Sequence, residues 1–447
     1  MNIDWLIVGG GIHGVHIAAR LIGEGGVSPD RVRIVDPAKR LLERWRVCTA
    51  RTGMSYLRSP TVHHLDLDPW SLRDFAGKRK RRAPGLFAPP YDRPSLALFN
   101  THCERVIERF GLQKLHLRER VTACDVQRAG VRAHVTDGRE LFAQHAVLAI
   151  GASEQPFWPR WAPRNHPRVH HVFEPSFDGW PSEPENIAVI GGGISAGQVA
   201  MRLAREGHRV QLIARHALRQ HQFDSDPGWL GPRHMTTFNR ERNPDRRRAM
   251  IVGARRRGSV PPGLRRALRR AFREGQVSWH EAEVTQIVAG TKTARLHFAG
   301  RGLSRHAAAP GLIDELVVRK TSSTSTATFS EPQPRQNSQR EATREKNDGL
   351  LDRSGVIEVD RVLLATGFSS ARPGGSMVDD LIASASLPCA RCGYPIVDTA
   401  LRWHPRIHVT GPLAELELGP ASRNIAGARR AGDRLVDALR QGSVMSC

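Results

Sequence analysis

Lysine is scarce in this chain: seven of 447 residues, which leaves 60 of the 67 basic positions to arginine. A net charge of +23 raises the question of a nucleic-acid partner, but no recognised nucleic-acid motif accompanies it. Arginine spread along the whole chain reads as a coding bias, although Arg233 to Arg273 is denser than the rest. Within that stretch Leu264 to Phe272 alternates arginine with Leu264, Ala267, Leu268, Ala271 and Phe272, the pattern of an amphipathic helix with a solvated basic face. Nucleic-acid binding is therefore not expected. Cysteine is scarce too, and the six at 48, 103, 124, 389, 392 and 447 are too scattered for a disulfide framework, so reduced thiols are expected. No apolar run approaches the ~20 residues of a membrane span, and a strand pattern begins by residue 3, where a secretory signal would have to lie. These absences lead to the expectation of a cytoplasmic enzyme of two or three domains, each large enough to bury its own core.

Two glycine-rich turns stand 182 residues apart: Gly9-Gly10-Gly11-Ile12-His13-Gly14 and Gly191-Gly192-Gly193-Ile194-Ser195-Ala196. Each follows an apolar, strand-like run, Ile3 to Val8 and Asn186 to Ile190, and each opens a helical pattern. In the first, Gly9 permits the tight turn, Gly11 lets the backbone approach a pyrophosphate and Gly14 allows close helix packing. The helix N-terminus then offers unpaired N–H groups to phosphate. The next strand, Val32 to Val35, ends at Asp36, placed to bind a ribose hydroxyl pair. In the second copy the corresponding strand, Val210 to Ala214, ends at Arg215, whose guanidinium suits the 2′-phosphate of NADP. The first site is read as FAD and the second as NADPH, with Gly191, Gly193 and Ser195 at the second turn.

Gly193 to Gly197 is also a GxSxG, the nucleophile elbow of hydrolases, but an elbow explains neither the preceding glycine nor Arg215. The rest of the chain repeats as well. Short strand patterns at 121–126, 131–135 and 141–143 precede Ala146 to Gly151, and others at 284–288 and 294–298 precede Asp360 to Gly367. The fold expected is α/β: two Rossmann-like, doubly wound parallel sheets with short antiparallel β-meanders. Its divisions are 1–160 for the first part of the FAD-binding domain, 161–359 for the NADPH-binding domain, and 360–447 for the returning part of the first. The interval from Gly151 to Gly367 is 34 residues longer than that between the fingerprints, and a polar segment at 321–349 with one aromatic residue accounts for most of it. That segment is expected to be a disordered surface insertion.

With Ala149-Ile150-Gly151 between the two units and Leu364-Ala365-Thr366-Gly367-Phe368 late in the chain, the sequence resembles the two-dinucleotide-binding flavoproteins. Among them it is most similar to the class B flavin monooxygenases, especially the amine N-hydroxylases of siderophore pathways. The resemblance implies that the Gly151 and Gly367 segments cross between domains. It implies that Arg406 to Pro412, with Gly411, is a strand returning to the FAD domain, and that Ser422 to Arg429, with Asn424, begins a helix aimed at the flavin ring. It further places Met54 to Pro60, including Met54 and Arg58, beside the isoalloxazine, and Val121 at the adenine. The activity implied is hydride transfer from NADPH to FAD, then oxygen activation to oxidise a small nucleophilic substrate. The chain departs from the pattern in one place: Phe173 to Glu185 lacks the FxGxxxHxxx(W/Y) fingerprint of related monooxygenases, and no catalytic acid, base or nucleophile is assigned.

Two alternatives remain open. Cys389-Ala390-Arg391-Cys392 could form a redox-active disulfide in an NADPH-dependent disulfide reductase. The folds could instead bind nucleotide without turnover, as a redox sensor. A zinc reading that joins Cys389 and Cys392 to His404 and His408 fails on context, because His404 precedes a proline and His408 lies in a strand pattern, so no metal is expected.

Overall fold

The computed structural model describes residues 3–77, 85–177, 180–299, 304–305 and 355–444. The insertion expected at 321–349 lies outside the described residues. The first apolar run becomes the strand Ile3–Val8, in the middle of a parallel sheet with the spatial order His116–Leu117, Val32–Val35, Ile3–Val8, Glu140–Leu148, Ile407–Val409. Arg402–His404 closes the edge antiparallel. Five of the six residues of Ile3–Val8 are buried, which is why the run is apolar throughout rather than alternating. The fingerprint helix Ile12–Gly23 packs on the last helix, Ile425–Val444, so the two ends of the chain share one core.

The second sheet has the order Ser304–Arg305, Val277–Glu281, Arg209–Ala214, Asn186–Ile190, Arg361–Leu364, Val169–His171, parallel except at Ser304–Arg305. Each sheet carries an antiparallel meander. The first is Val121–Gln127, Gly130–Val135 and Glu140–Leu148, whose last strand also enters the parallel sheet. The second is Val284–Ala289, Ala294–Phe298 and Val356–Val359. The doubled α/β architecture is thus the one expected. The return to the first sheet comes later than the boundary at 360, because Arg361–Leu364 pairs in parallel with Asn186–Ile190 and so belongs to the second sheet.

The two crossovers run side by side: Pro156 bridges Phe368, the Phe157 N–H donates to the Gly367 carbonyl at 2.9 Å, and the Ser369 N–H to that of Gln155 at 2.8 Å. Arginines tie the halves further. From the helix Glu43–Thr52, Arg44 donates to the Ser153 and Phe173 carbonyls and Arg51 to those of Glu174 and Phe177, while Arg202 of the second fingerprint helix donates to Ala50 and Arg51.

The basic stretch resolves into three helices, Pro232–Arg240, Pro244–Ala254 and Pro262–Arg273. The third is amphipathic and buries Leu268 and Ala271. The first two form a pair over the returning chain, with Trp229, Phe238, Ile251, Ala390, Tyr394 and Leu416 as a small separate core.

Candidate cofactor site

Both glycine turns connect the end of a central strand to a helix, and their glycines answer two different needs. Gly9 has φ +111°, and a Cβ there would lie 2.7 Å from the Ala149 carbonyl oxygen; one on Gly14 would lie 1.8 Å from that of Gly9. These two are demanded by the protein's own packing. Among the described residues a Cβ on Gly11 would meet nothing within 4 Å. Gly11 is also the N-cap of Ile12–Gly23, and no side chain caps that helix. An unfilled space against a helix N-terminus with uncapped N–H groups fits a pyrophosphate.

The second turn repeats the arrangement. Gly191 has φ +150° with the Ala365 oxygen 2.5 Å from its would-be Cβ, and Gly193, the uncapped N-cap of Ile194–Arg205, has only the Gly258 Cα near, at 3.7 Å. Ser195 lies in the first turn of that helix, with no hydrogen-bonded histidine among the described residues. It therefore lacks the partner a nucleophile elbow requires.

The strand ends differ as the sequence indicated. The Asp36 carboxylate accepts the Gly10 N–H at 2.7 Å and the Ala38 N–H at 2.9 Å, which fixes it beside the first turn with lone pairs remaining for a sugar hydroxyl. Arg215 is exposed and has no hydrogen-bond or ion-pair partner among the described residues. Beside it the His216 ring covers Gly192 and Gly258, whose would-be Cβ atoms both lie 2.6 Å from it.

The remaining candidates are spread over several elements. Gly411 has φ +64° directly after the returning strand, and its would-be Cβ faces the His13 ring at 3.6 Å. Asn424 precedes the last helix and accepts the Gly427 N–H at 3.1 Å. Val121 opens the first meander and is buried. Met54 is half-buried against the first core. Gly151 and Gly367 lie on the paired crossovers, Gly367 with φ +83°. Arg58 makes a different attachment: its guanidinium donates to the Gln222 and His221 carbonyls, each at 2.7 Å, and to Ser259 Oγ at 3.0 Å. It ties its segment to residues 221, 222 and 259.

His13 was not singled out by its sequence, being one of three unspecified residues in the fingerprint. Its Nδ1 lies 2.9 Å from Thr410 Oγ1, the Asn424 backbone lies against the ring, and among the described residues its Nε2 has no hydrogen-bond partner of good geometry. Burial holds the imidazole neutral, with a pKa lowered to about 4. A neutral histidine thus joins the first turn to the returning strand. Glu415 was also missed. It is fully buried and accepts Arg423 at 2.7 and 3.1 Å, Arg255 at 3.5 Å, and Arg248. Nothing in a linear reading distinguishes those arginines from the other 57.

The cysteines of the CxxC flank a tight turn in which the Gly393 N–H donates to Ala390 and the Ala390 N–H to Tyr394. Both thiols are free, and burial pushes that of Cys389 up. Among the described residues no helix is long and apolar enough to cross a membrane.

Comparison with known proteins agrees with this geometry. Residues 6–153 match a family described as FAD-NAD(P)-binding, and residues 82–251 one described as pyridine nucleotide-disulphide oxidoreductase. No curated protein sequence matches significantly. Among solved structures, the ornithine hydroxylase PvdA of Pseudomonas aeruginosa is 16% identical with a TM-score of 0.68, over 99% of both chains. The ornithine N-hydroxylase KtzI of Kutzneria sp. 744 is 15% identical with a TM-score of 0.70, over 99% of this chain and 100% of its own. The bacillithiol disulfide reductase Bdr of Bacillus cereus is 14% identical with a TM-score of 0.57, over 99% and 100%. The chain therefore has the fold of the FAD/NAD(P)-binding flavoproteins and resembles the class B flavin monooxygenases and amine N-hydroxylases.

Proposed function

We propose that the chain is an NADPH-dependent FAD oxidoreductase of the monooxygenase type. The observation that carries this reading is the pair of open glycine turns on two sheets joined by paired crossovers, one strand ending at Asp36 and the other at Arg215. FAD would lie along Gly9, Gly11, Gly14, Asp36 and Val121, with its ring end toward Met54, Gly411 and Asn424. NADPH would lie at Gly191, Gly193, Ser195 and Arg215. Bound there, the two cofactors supply hydride transfer and the reduction of oxygen.

The chain's own contribution is binding and orientation. Gly11 and Gly193 leave room for pyrophosphate, and the uncapped helix N-termini donate N–H groups to it. Arg215, free of protein partners among the described residues, offers its guanidinium to a 2′-phosphate. The Arg44, Arg51, Arg58 and Arg202 ties hold the two domains in register, so that one cofactor can face the other.

The KtzI structure, described as holding reduced FAD, NADP+ and L-ornithine, supports the pairing of cofactors. Disulfide reduction, the activity named for Bdr, is less well supported. A disulfide reductase attacks with a thiolate, and burial makes Cys389 a poorer candidate for that role.

The test is the visible spectrum of the purified protein before and after NADPH is added in air. Bleaching of a flavin spectrum, faster with NADPH than with NADH, is the expected result. A protein that stays colourless after incubation with FAD refutes the reading, and bound flavin that NADPH does not reduce leaves the non-catalytic sensor.

A further inference from the structure

Four guanidiniums crowd together where the helical pair Pro232–Arg240 and Pro244–Ala254 meets the returning chain. Arg248 stacks over the Tyr394 ring with its guanidinium carbon 4.2 Å from the centroid, and Arg423 lies over the same ring at 5.9 Å. Arg423 also donates to the Tyr394 hydroxyl at 2.7 Å. The Glu415 carboxylate takes Arg423, Arg255 and Arg248 together, which occupies both its oxygens. Arg257 stands beside Arg248 and Arg423, exposed, with no hydrogen-bond or ion-pair partner among the described residues. The exposed carboxylate of Asp224 also acts on Arg255. Arg255 thus has three guanidiniums against it, those of Arg423, Arg257 and Arg248, and two carboxylates, those of Glu415 and Asp224.

Burial and mutual repulsion pull Arg255 down to about 9, the first cause being the larger; partial desolvation of its guanidinium, with repulsion from Arg423 and Arg248, lowers Arg257 as well, although that residue as a whole is exposed. Among the described residues Arg255 Nε is in addition buried without an acceptor. A like-charged cluster with an unsatisfied donor is costly by itself, and an entering anion relieves both costs. The guanidinium fork matches the oxygens of carboxylate and phosphate.

We propose that Arg248, Arg255, Arg257 and Arg423 form a binding site for the anionic group, carboxylate or phosphate, of a small-molecule ligand. The site is read from charge and burial alone and does not depend on the oxidoreductase reading. It selects against a ligand whose nearest group is a cationic amine.

The experiment is a thermal melt of the protein as purified, with citrate or inorganic phosphate, against sodium chloride of equal ionic strength. Wild type is expected to gain about 3–5 °C from at least one of the two anions at saturation. Citrate alone identifies a carboxylate ligand, and phosphate alone a phosphorylated one. Because phosphate also suits the nucleotide turns, the effect must survive in Arg215→Ala and be lost in Arg257→Ala. Arg257 has no protein partner among the described residues, so its removal leaves the fold intact, and Arg257→Lys should keep part of the gain. No gain beyond sodium chloride, or an equal gain in Arg257→Ala, overturns the proposal and leaves the arginines as struts for Glu415. Flavin content and NADPH oxidation, measured on the same samples, report separately on the oxidoreductase reading.

Discussion

Replacing Glu415 by glutamine changes one atom and removes the charge that holds the helical pair to the returning chain. The carboxylate is fully buried, receives Arg423 through two hydrogen bonds of 2.7 and 3.1 Å, and also faces Arg255 and Arg248. At an effective dielectric of 20 each such contact is an attraction of about 4 kcal/mol before desolvation is subtracted. The net cost of breaking a buried pair from one side is about 3–5 kcal/mol, because the partner charges stay buried and unpaired. Glu415→Gln is therefore expected to lose about 3–5 kcal/mol in urea unfolding followed by circular dichroism. The first transition should be the one affected, since Trp229, Phe238, Ile251 and Leu416 form a small core apart from those of the two sheets. Adding Arg423→Met to Glu415→Gln should restore part of the loss, because it removes one of the stranded charges. A Glu415→Gln protein within about 1 kcal/mol of wild type would refute the reasoning and show that water reaches the cluster and screens it.

Other perturbations separate packing from ligand space. Gly14→Ala places a Cβ 1.8 Å from the Gly9 oxygen and should abolish soluble expression, whereas Gly11→Ala meets no protein atom within 4 Å. Gly11→Ala should therefore melt like wild type as apoprotein yet bind FAD at least about tenfold more weakly, a loss of about 1.4 kcal/mol, measured by flavin fluorescence titration. Arg215→Ala should raise KM for NADPH by about tenfold or more while leaving that for NADH unchanged in steady-state assays; an equal effect on both would remove Arg215 from the 2′-phosphate. Acid should unfold the protein early. Burial lowers His13, His64, His102, His171 and His408 from 6.5 to about 4, 3, 4, 4 and 3. The unfolded chain then takes up protons first, and stability present above pH 6.5 is lost as pH falls toward 4. At pH 5.5 each histidine contributes a loss of about 1.4 kcal/mol, so the urea midpoint should drop sharply between pH 7.5 and 5.5, and a flat profile would contradict the burial.

Features that depend on local backbone geometry could be read from the order of residues. Gly9, Gly14 and Gly191 are written in the chain because positive φ or a carbonyl against the Cα admits no side chain, and the strands before them are apolar because both faces of a parallel sheet are covered. Asp36 and Arg215 were legible for the same reason, since a strand end following a glycine turn has a fixed place relative to it. The boundary near residue 360 was not, because an apolar strand such as Arg361–Leu364 fits either sheet and only its pairing with Asn186–Ile190 decides. Tertiary structure alone decided what the arginines do. Arg58 reads as a flavin neighbour and is drawn to carbonyls 163 and 164 residues away, and Arg248, Arg255 and Arg423 read as part of a solvated surplus but meet at one buried carboxylate. A charge has no periodicity that reveals its partner. Its energy depends on the burial and spacing of groups distant in sequence, and these exist only once the returning chain has closed on the helical pair.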